Sequence, residues 1–252
     1  MPSAPQPASS PQQSRTPQPA RGQRRTPSRS ATEYLKVVFS PGVVPDKWFS
    51  RFDERTRGWC AAGAQVDDPM KYIRSGAADI ALVRLSAAQQ DAGEDYHHVR
   101  LYDEQLGVAA PKEHPIKVMD SVTHAELSDE IILYHTPLDG RVDIDAVREV
   151  LGVVGANVGV CIAPRPLLRA VNQPRVVHRD LLQPTGIGGT RVAVVWAKER
   201  DDEVIQDFVG ICRGRGAGSS RQALTKARVR RGSANTGSAQ SAAKRRKKKQ
   251  RG

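Results

Sequence analysis

The sequence predicts an α/β fold with a mainly parallel sheet, confined to residues 34–212 of a 252-residue chain. Within this range, short β-branched runs alternate with segments whose apolar residues recur at helical spacing. Outside it the apolar residues almost disappear. Residues 1–33 are rich in Pro, Gln, Ser, Thr and Arg, and residues 213–252 in Gly, Ser, Ala and basic residues. Because such segments bury too little apolar surface to offset the entropy lost on ordering, we expect both tails to be disordered.

Nine strands are predicted from the β-branched runs. They lie at residues 34–39, 59–66, 79–85, 98–102, 106–110, 131–134, 158–163, 175–178 and 191–197. The helices between them are predicted from apolar stripes, which bring Trp48, Phe49 and Phe52 to one face of the first helix. The last helix, 202–212, carries a similar stripe.

Capping residues indicate where several helices begin and end. The Asp-Pro pair at 68–69 is typical of an N-cap followed by the first helical residue. Asp143 opens a helix that we expect to end at Gly152. Thr123 and Glu126 have the spacing of a capping box.

Charge divides the chain in the same way. Residues 1–33 hold five Arg and one Glu, a net charge of +4, and residues 213–252 hold fourteen Lys and Arg and no acid. The middle, 34–212, keeps 20 basic and 26 acidic residues, a net charge of −6. The overall charge of +12 and the pI of about 10.0 therefore describe the tails, and the predicted fold is acidic.

The C-terminal tail has a composition that favours binding to nucleic acid. Its segment KRRKKKQR offers seven cations in eight residues and no aromatic side chain for stacking on bases. Such a segment contacts phosphates without reading sequence, in DNA or in RNA. The alternative is a tail that only increases solubility. The predicted nucleic-acid-binding residues are Lys244, Arg245, Arg246, Lys247, Lys248, Lys249 and Arg251.

Several classes of protein are disfavoured by missing motifs. Three cysteines without a CxxC pair do not form a disulfide framework. The first residues lack the pattern of a secretory signal, and the longest apolar run, 151–163, is too short to cross a bilayer. GIGGT at 186–190 lacks the Lys of a phosphate-binding loop, and the sequence contains neither HExxH nor GxSxG. We therefore expect a cytoplasmic protein that is not an enzyme, with no cofactor, no metal and no membrane partner.

The order of the motifs resembles a known family. The run YLKVVFSPGVVPDKWFSRFDERT, followed by DDPMKYIRSGAADIALVRL, is similar to the start of the effector-binding domain of LysR-type transcriptional regulators. LYDEQLGVAAPKEHPI, HAELSDEIILY and VREVLGVVGANVGVCIAPRPLLR continue the likeness, and TRVAVVWAKERDDEVIQDFVGIC resembles the closing strand and helix. The resemblance covers nearly all of 34–212, in order.

This resemblance implies a type 2 periplasmic-binding-protein fold, in which two α/β lobes joined by two crossovers hold a small ligand in the cleft between them. The first lobe would comprise about 34–111 and 191–212, and the second about 112–190. The second lobe is expected to be shortened, because only about eight residues separate IILY from the helix at Asp143. The winged helix-turn-helix that precedes this domain in the family is expected to be absent, because residues 1–33 are too few and lack helical periodicity.

Carried over by position, the resemblance implies ligand contacts at the ends of strands and the starts of helices. Helix N-termini at such a crevice favour an anion, so the expected ligand is a small anionic metabolite. Val66 stands where the family often has a polar residue. The predicted ligand-binding residues are Ser40, Gly42, Val66, Asp67, Arg84, His135 and Thr136.

Three functions remain open on the sequence alone. The first is a metabolite-sensing regulatory or accessory factor, homodimeric as in the family, that holds nucleic acid through its basic tail. The second is a nucleoid- or ribosome-associated binding protein whose LysR-like core is a platform without a ligand. The third is an enzyme or a solute receptor on the same fold.

Overall fold

A computed structural model of the chain describes residues 32–88 and 92–215. These residues form ten strands and five α-helices, with short 3-10 helices at 115–118, 124–127 and 198–200. The elements in chain order are β1 (Glu33–Phe39), α1 (Asp46–Arg55), β2 (Trp59–Gln65), α2 (Pro69–Arg74), β3 (Ile80–Ser86), β4 (Tyr96–Asp103), β5 (Leu106–Pro111), β6 (Ser121–Thr123), β7 (Ile132–His135), α3 (Ile144–Val154), β8 (Val160–Pro164), α4 (Arg165–Ala170), β9 (Val176–Leu182), β10 (Thr190–Ala197) and α5 (Glu203–Cys212). The predicted basic segment that ends the chain lies outside the described residues.

The strands form two five-stranded sheets. Their orders are β2-β1-β3-β10-β4 and β6-β9-β5-β8-β7. In the first sheet only β10 is reversed, antiparallel to both of its neighbours, and in the second only β5 is reversed. Each reversed strand is the one through which the chain enters that sheet from the other. Four of the five strands in each sheet thus run in one direction, as the prediction of a mainly parallel sheet implies, although the reversed strand makes four of the eight pairings antiparallel.

Two crossovers join the sheets into a two-lobed α/β fold. The first is Glu104 and Gln105, because β4 belongs to the first sheet and β5 to the second. The second is 183–189, between β9 and β10. The predicted lobe boundary after residue 111 is therefore wrong by the length of β5. Its apolar run identifies a strand, but nothing in the run says which sheet the strand joins.

The second lobe keeps a complete sheet despite its short loop. Only residues 136–143 separate β7 from α3, as expected from the sequence. The five strands of the second sheet equal those of the first in number. The short loop therefore brings the start of α3 close to the first lobe without removing a strand.

Each sheet is covered by apolar side chains on both faces. In the first lobe α1 and α5 pack on one face, where Phe52 and Phe208 meet edge to face at 5.6 Å, and the α2 side chain of Ile73 packs on the other. In the second lobe α3 and α4 bury Leu151 and Leu167 against the sheet. All four Phe and all three Trp of the sequence lie in the first lobe. The second core is built from Val, Leu, Ile and Ala.

The predicted caps are found, with one exception. Asp68 and Asp143 accept hydrogen bonds from backbone amides at the starts of α2 and α3, and Thr123 with Glu126 forms a capping box. The helix α3 does not end at Gly152 but continues to Val154. Val154 is fully buried, and its burial outweighs the cost of about 1 kcal/mol for a glycine inside a helix.

Candidate functional site

A cavity of about 220 Å³ lies between the two lobes. It opens at the carboxyl ends of β1 and β3 and at the start of α2, where an α/β sheet commonly binds ligands. The second lobe contributes the loop before α3. The lining residues are Ser40, Asp67, Asp68, Pro69, Met70, Val83, Arg84, Leu85, Ser86, Gly140, Arg141, Val142 and Ile144.

Ser40 and Arg84 form the inner wall on the side of the first lobe. Ser40 directly follows β1, is 3% exposed, and accepts a hydrogen bond from the backbone N–H of Arg84 at 3.2 Å. Arg84 lies near the carboxyl end of β3, and its side chain is only 5% exposed. Its guanidinium is held in place by Glu104 and by the carbonyl oxygen of Pro41, which accepts from Nη2 at 2.9 Å.

Glu104 is the fully buried partner of Arg84. Its two carboxylate oxygens accept from Nε at 2.6 Å and from Nη2 at 2.8 Å. The hydroxyl of Thr190 donates to the same carboxylate at 2.9 Å, and the backbone N–H of Glu104 donates to the carbonyl of Thr190, also at 2.9 Å. One residue of the first crossover thus binds both the cavity wall and the residue that ends the second crossover.

One donor of this network has no partner. Nη1 of Arg84 is buried and makes no hydrogen bond with any of the described residues. Buried donors are normally satisfied, so Arg84 carries an unpaired donor that a ligand or a water in the cavity reaches only if the surrounding side chains shift. Among the described lining residues, Arg84 is the one with a buried polar side-chain atom that lacks a hydrogen-bond partner.

An ion pair joins the two lobes at the rim of the cavity. Asp67, just before α2, accepts from both terminal nitrogens of Arg148 on α3, at 2.6 and 3.0 Å. Arg148 also contacts Asp145 within its own helix at 2.8 Å. The hydrogen bonds from Arg148 lower the pKa of Asp67 below its usual value, so the carboxylate is charged at neutral pH.

Gly42 marks a close backbone approach between the lobes. Its φ is +90°, and a Cβ at this position would lie 2.6 Å from the carbonyl carbon of Pro166 at the start of α4. Any side chain would push the lobes apart and would strain the backbone as well. Gly42 lies outside the described lining of the cavity, and its observed part is to let the lobes touch.

The structure does not bring the remaining predicted residues to the cavity. Val66 packs with the apolar side chains beneath α2. His135 is exposed at the end of β7, and Thr136 is fully buried, with its backbone bonded to Ile162 and Gly188. Of the seven predicted contacts, Ser40, Asp67 and Arg84 share the cavity. As contacts with a ligand, all seven stay predictions.

Sequence reasoning missed the residues that complete this site. Glu104 is one acidic residue among many after a predicted strand, and its partner Arg84 is twenty positions away. Arg148 reads as an ordinary cation on a helix, eighty-one positions from Asp67. Gly140 packs against Ser86 and Gly189, which no local pattern indicates. Only the tertiary fold pairs these residues.

A second cavity lies within the first lobe alone. It measures about 460 Å³ and is bordered by the end of α2, the start of β4 and the turn at 198–200. Its charged residues are largely solvent-exposed, and Asp79 and Arg200 already pair at 2.7 Å. Despite its larger volume, this groove has no buried polar side-chain atom without a hydrogen-bond partner among its described lining residues. The interlobe cavity is therefore the better candidate site.

Two negative findings concern the described residues. None of their helices has the length and apolar character needed to span a membrane. Nor does any group of three His, Cys, Asp or Glu side chains in 32–88 and 92–215 have the arrangement of a metal site.

Comparison with known proteins gives a family match. Residues 47–217 match the family described as LysR substrate binding domain. No curated protein sequence matches the chain.

Solved structures with the same architecture are regulators or their effector-binding domains. The effector binding domain of BenM with its effector benzoate has a TM-score of 0.53 at 15% identity, over 73% of this chain and 92% of that one. CbnR, a LysR family transcriptional regulator, has a TM-score of 0.52 at 16% identity, over 74% and 72%. A full-length OxyR variant from Pseudomonas aeruginosa has a TM-score of 0.50 at 16% identity, over 77% and 72%. At these identities the likeness establishes the fold.

Proposed function

Because this chain belongs to the LysR substrate binding domain family, whose members sense effectors, we propose that its interlobe cavity binds a small effector molecule. Binding there would stabilise one arrangement of the two lobes. The protein would act as a regulatory or accessory factor, with its basic tail holding nucleic acid.

The position of the cavity between the lobes carries this proposal. Its walls come from both lobes, so a molecule inside it makes contacts that depend on how the lobes are set. A ligand that prefers one setting shifts the population toward it by its difference in affinity for the two. The guanidinium of Arg84 and the hydroxyl of Ser40 are polar groups of this lining, and Val83 and Leu85 are apolar neighbours beside them.

A thermal-shift screen of small metabolites on the full chain tests the effector site. A bound ligand raises the melting temperature by mass action. Val142→Trp fills the cavity from a half-buried lining position, and Val118→Trp places the same side chain at a position that is 88% exposed. We expect a metabolite that stabilises the wild type and Val118→Trp but not Val142→Trp. A screen without any such molecule would favour a core that serves only as a platform.

The basic C-terminal segment supports the nucleic-acid part of the proposal. Lys244, Arg245, Arg246, Lys247, Lys248, Lys249 and Arg251 are the seven clustered cations, and no acid offsets them in 213–252. Because the segment 34–212 has a net charge of −6, it repels polyanions, and the tail is the part with the charge to bind them. Clustered Lys and Arg side chains contact phosphates, and phosphate contacts do not by themselves distinguish bases.

Fluorescence anisotropy with two unrelated duplexes and one RNA hairpin tests this tail. Seven phosphate contacts predict a slope of about −6 for log K against log salt concentration. Replacing residues 244–249 with Ala should remove most of the binding and flatten the slope, and deleting 214–252 should remove nearly all of it. Undiminished binding after the deletion, or strong preference for one duplex, would assign nucleic-acid recognition to the folded lobes instead.

A further inference from the structure

The cations that line the interlobe cavity are already matched by carboxylates. Arg84 shares its charge with Glu104 through two short hydrogen bonds, and both side chains are buried. Arg141 is 87% exposed and lies at the solvent side, with Asp139 at 3.9 Å. The inner wall therefore presents no uncompensated positive charge to a ligand.

The carboxylates around the cavity are paired as well, so the cavity has no net positive charge for a negatively charged ligand. Asp67 and Asp68 both line the cavity, next to their partners Arg148 and Arg74. Glu104 lies behind Arg84, within hydrogen-bonding distance of the guanidinium that a ligand would contact. An entering carboxylate would lose its hydration without meeting an uncompensated cation that offsets this cost, and it would approach the buried charge of Glu104.

What the cavity does offer is hydrogen-bond donors and apolar surface. The buried donor without a partner among the described residues of the lining is Nη1 of Arg84. The apolar part of the lining is Pro69, Met70, Val83, Leu85, Val142 and Ile144. A cavity of about 150 Å³ holds benzene, so about 220 Å³ suits a ring with one small polar substituent.

From this charge arrangement we infer that the interlobe cavity selects a small neutral molecule that accepts hydrogen bonds, with Glu104 setting the selectivity against anions. The inference rests on the proposed effector site and names its ligand class. It departs from the anionic metabolite expected from the sequence, because the expected cation, Arg84, is neutralised by a residue that the sequence did not single out. A carbonyl, amide or ether oxygen would accept from the guanidinium of Arg84, once a small shift of that side chain exposes Nη1, while the apolar remainder packs against Val83 and Ile144.

The test uses matched pairs of amides and carboxylates on the full-length protein. The pairs are acetamide and acetate, benzamide and benzoate, and nicotinamide and nicotinate, compared by thermal shift and by titration. In the wild type we expect the amide of at least one pair to bind about tenfold or more tightly than its carboxylate. Glu104→Gln leaves Arg84 charged without its counter-ion, and we expect the same preference to reverse.

A second variant separates selectivity from stability. Glu104→Gln breaks a buried pair and lowers the melting temperature, so each shift is measured against the same variant without ligand. In the double variant Arg84→Gln with Glu104→Gln both side chains are neutral, and we expect the preference for the amide to remain. A purely structural role of Glu104 would leave the ratio of amide to carboxylate affinity unchanged in all three proteins.

Each outcome bears on a different part of the argument. Carboxylates that bind the wild type at least as tightly as the amides would overturn the inference and leave the effector site standing. An unchanged ratio in Glu104→Gln would overturn the part assigned to Glu104. If no member of either class binds the wild type or the variants in a way that Val142→Trp abolishes, the effector site itself is wrong, and the inference with it.

Discussion

The two lobes share an architecture but not a core chemistry. Each has five strands, with one reversed strand where the chain enters from the other lobe. The first lobe holds every Phe and Trp of the sequence, and its rings meet between α1, α5 and the sheet. The second lobe reaches the same completeness of burial with Val, Leu, Ile and Ala. The pattern of apolar positions therefore specifies the layers, and the identity of the side chains specifies how much each position contributes.

The largest expected effect lies in the aromatic core of the first lobe. Phe208 is fully buried and packs against the rings of Phe49 and Phe52, with 6.0 and 5.6 Å between ring centroids. Phe208→Ala should lower the free energy of unfolding by about 4 kcal/mol, because it removes transfer free energy and leaves a cavity. Urea denaturation followed by circular dichroism measures this change. Tyr34→Ala, at a position 61% exposed in the same lobe, should cost less than about 1 kcal/mol.

The aliphatic core should be affected slightly less. Leu151 is 1% exposed on α3, and Leu151→Ala should lower the free energy of unfolding by about 3 kcal/mol. Leu138→Ala, at a position 74% exposed in the same lobe, is the control.

The Leu151→Ala variant also tests whether the lobes unfold together. All three Trp lie in the first lobe, so fluorescence follows that lobe while circular dichroism follows both. We expect the two midpoints to move together, because the two-residue crossover and the contact of Gly42 with Pro166 join the lobes. A dichroism transition that precedes the fluorescence transition would show two separate units.

Helix caps should contribute equally in the two lobes. Asp202 accepts from the amide of Ile205 at 2.9 Å in the first lobe, and Asp143 from that of Ala146 at 3.0 Å in the second. Each Asp→Ala change should cost about 1 kcal/mol. Thermal denaturation of the two variants side by side measures the difference, and a gap of more than about 1 kcal/mol would contradict the equality of the lobes at the level of local structure.

The smallest expected effect concerns the ion pair between the lobes. Asp67 and Arg148 are 51% and 37% exposed, so solvent screens the pair, and Asp67→Asn should cost only about 0.5 kcal/mol. Arg148 lowers the pKa of Asp67 from its usual value of 3.8, so this contribution is present above about pH 4 and is lost as the pH falls further. Asp145→Asn removes a contact of the same Arg148 within α3 and serves as control.

Ligand titrations show whether the Asp67–Arg148 pair regulates the cavity. Loss of the interlobe contact in Asp67→Asn should alter the affinity for any effector more than Asp145→Asn does, since only the first change frees the rim. Equal effects on affinity would mean that the pair has no part in closing the cavity.

Local patterns predicted the elements well and their partners poorly. All nine predicted strands are present within a few residues, because β-branched runs and turn residues are local signals. The three-residue strand β6 and the six-residue helix α4 were missed, because neither is long enough to show a period. The family and its two-lobed fold followed from the order of the motifs, which the family match confirms.

The rest depends on contacts across the fold. Which sheet β5 joins is decided by its pairing with β8 and β9, which carry no mark in the sequence. Ser40, Asp67 and Arg84 could be placed near one site by position. The neutralisation of Arg84 by Glu104 could not be predicted, because the sequence does not distinguish a buried glutamate from the solvent-exposed ones near it.

The crossovers differ in length, and this difference limits how the lobes can move. Glu104 and Gln105 span at most about 7 Å even when fully extended, whereas 183–189 could span about 24 Å. The short crossover therefore forbids translation of one lobe away from the other and leaves rotation about a pivot. The bonds between Glu104 and Thr190 place that pivot where both crossovers meet. A molecule bound beside Arg84 lies close to this pivot. A small rotation of one lobe there produces a larger displacement at the far ends of the lobes.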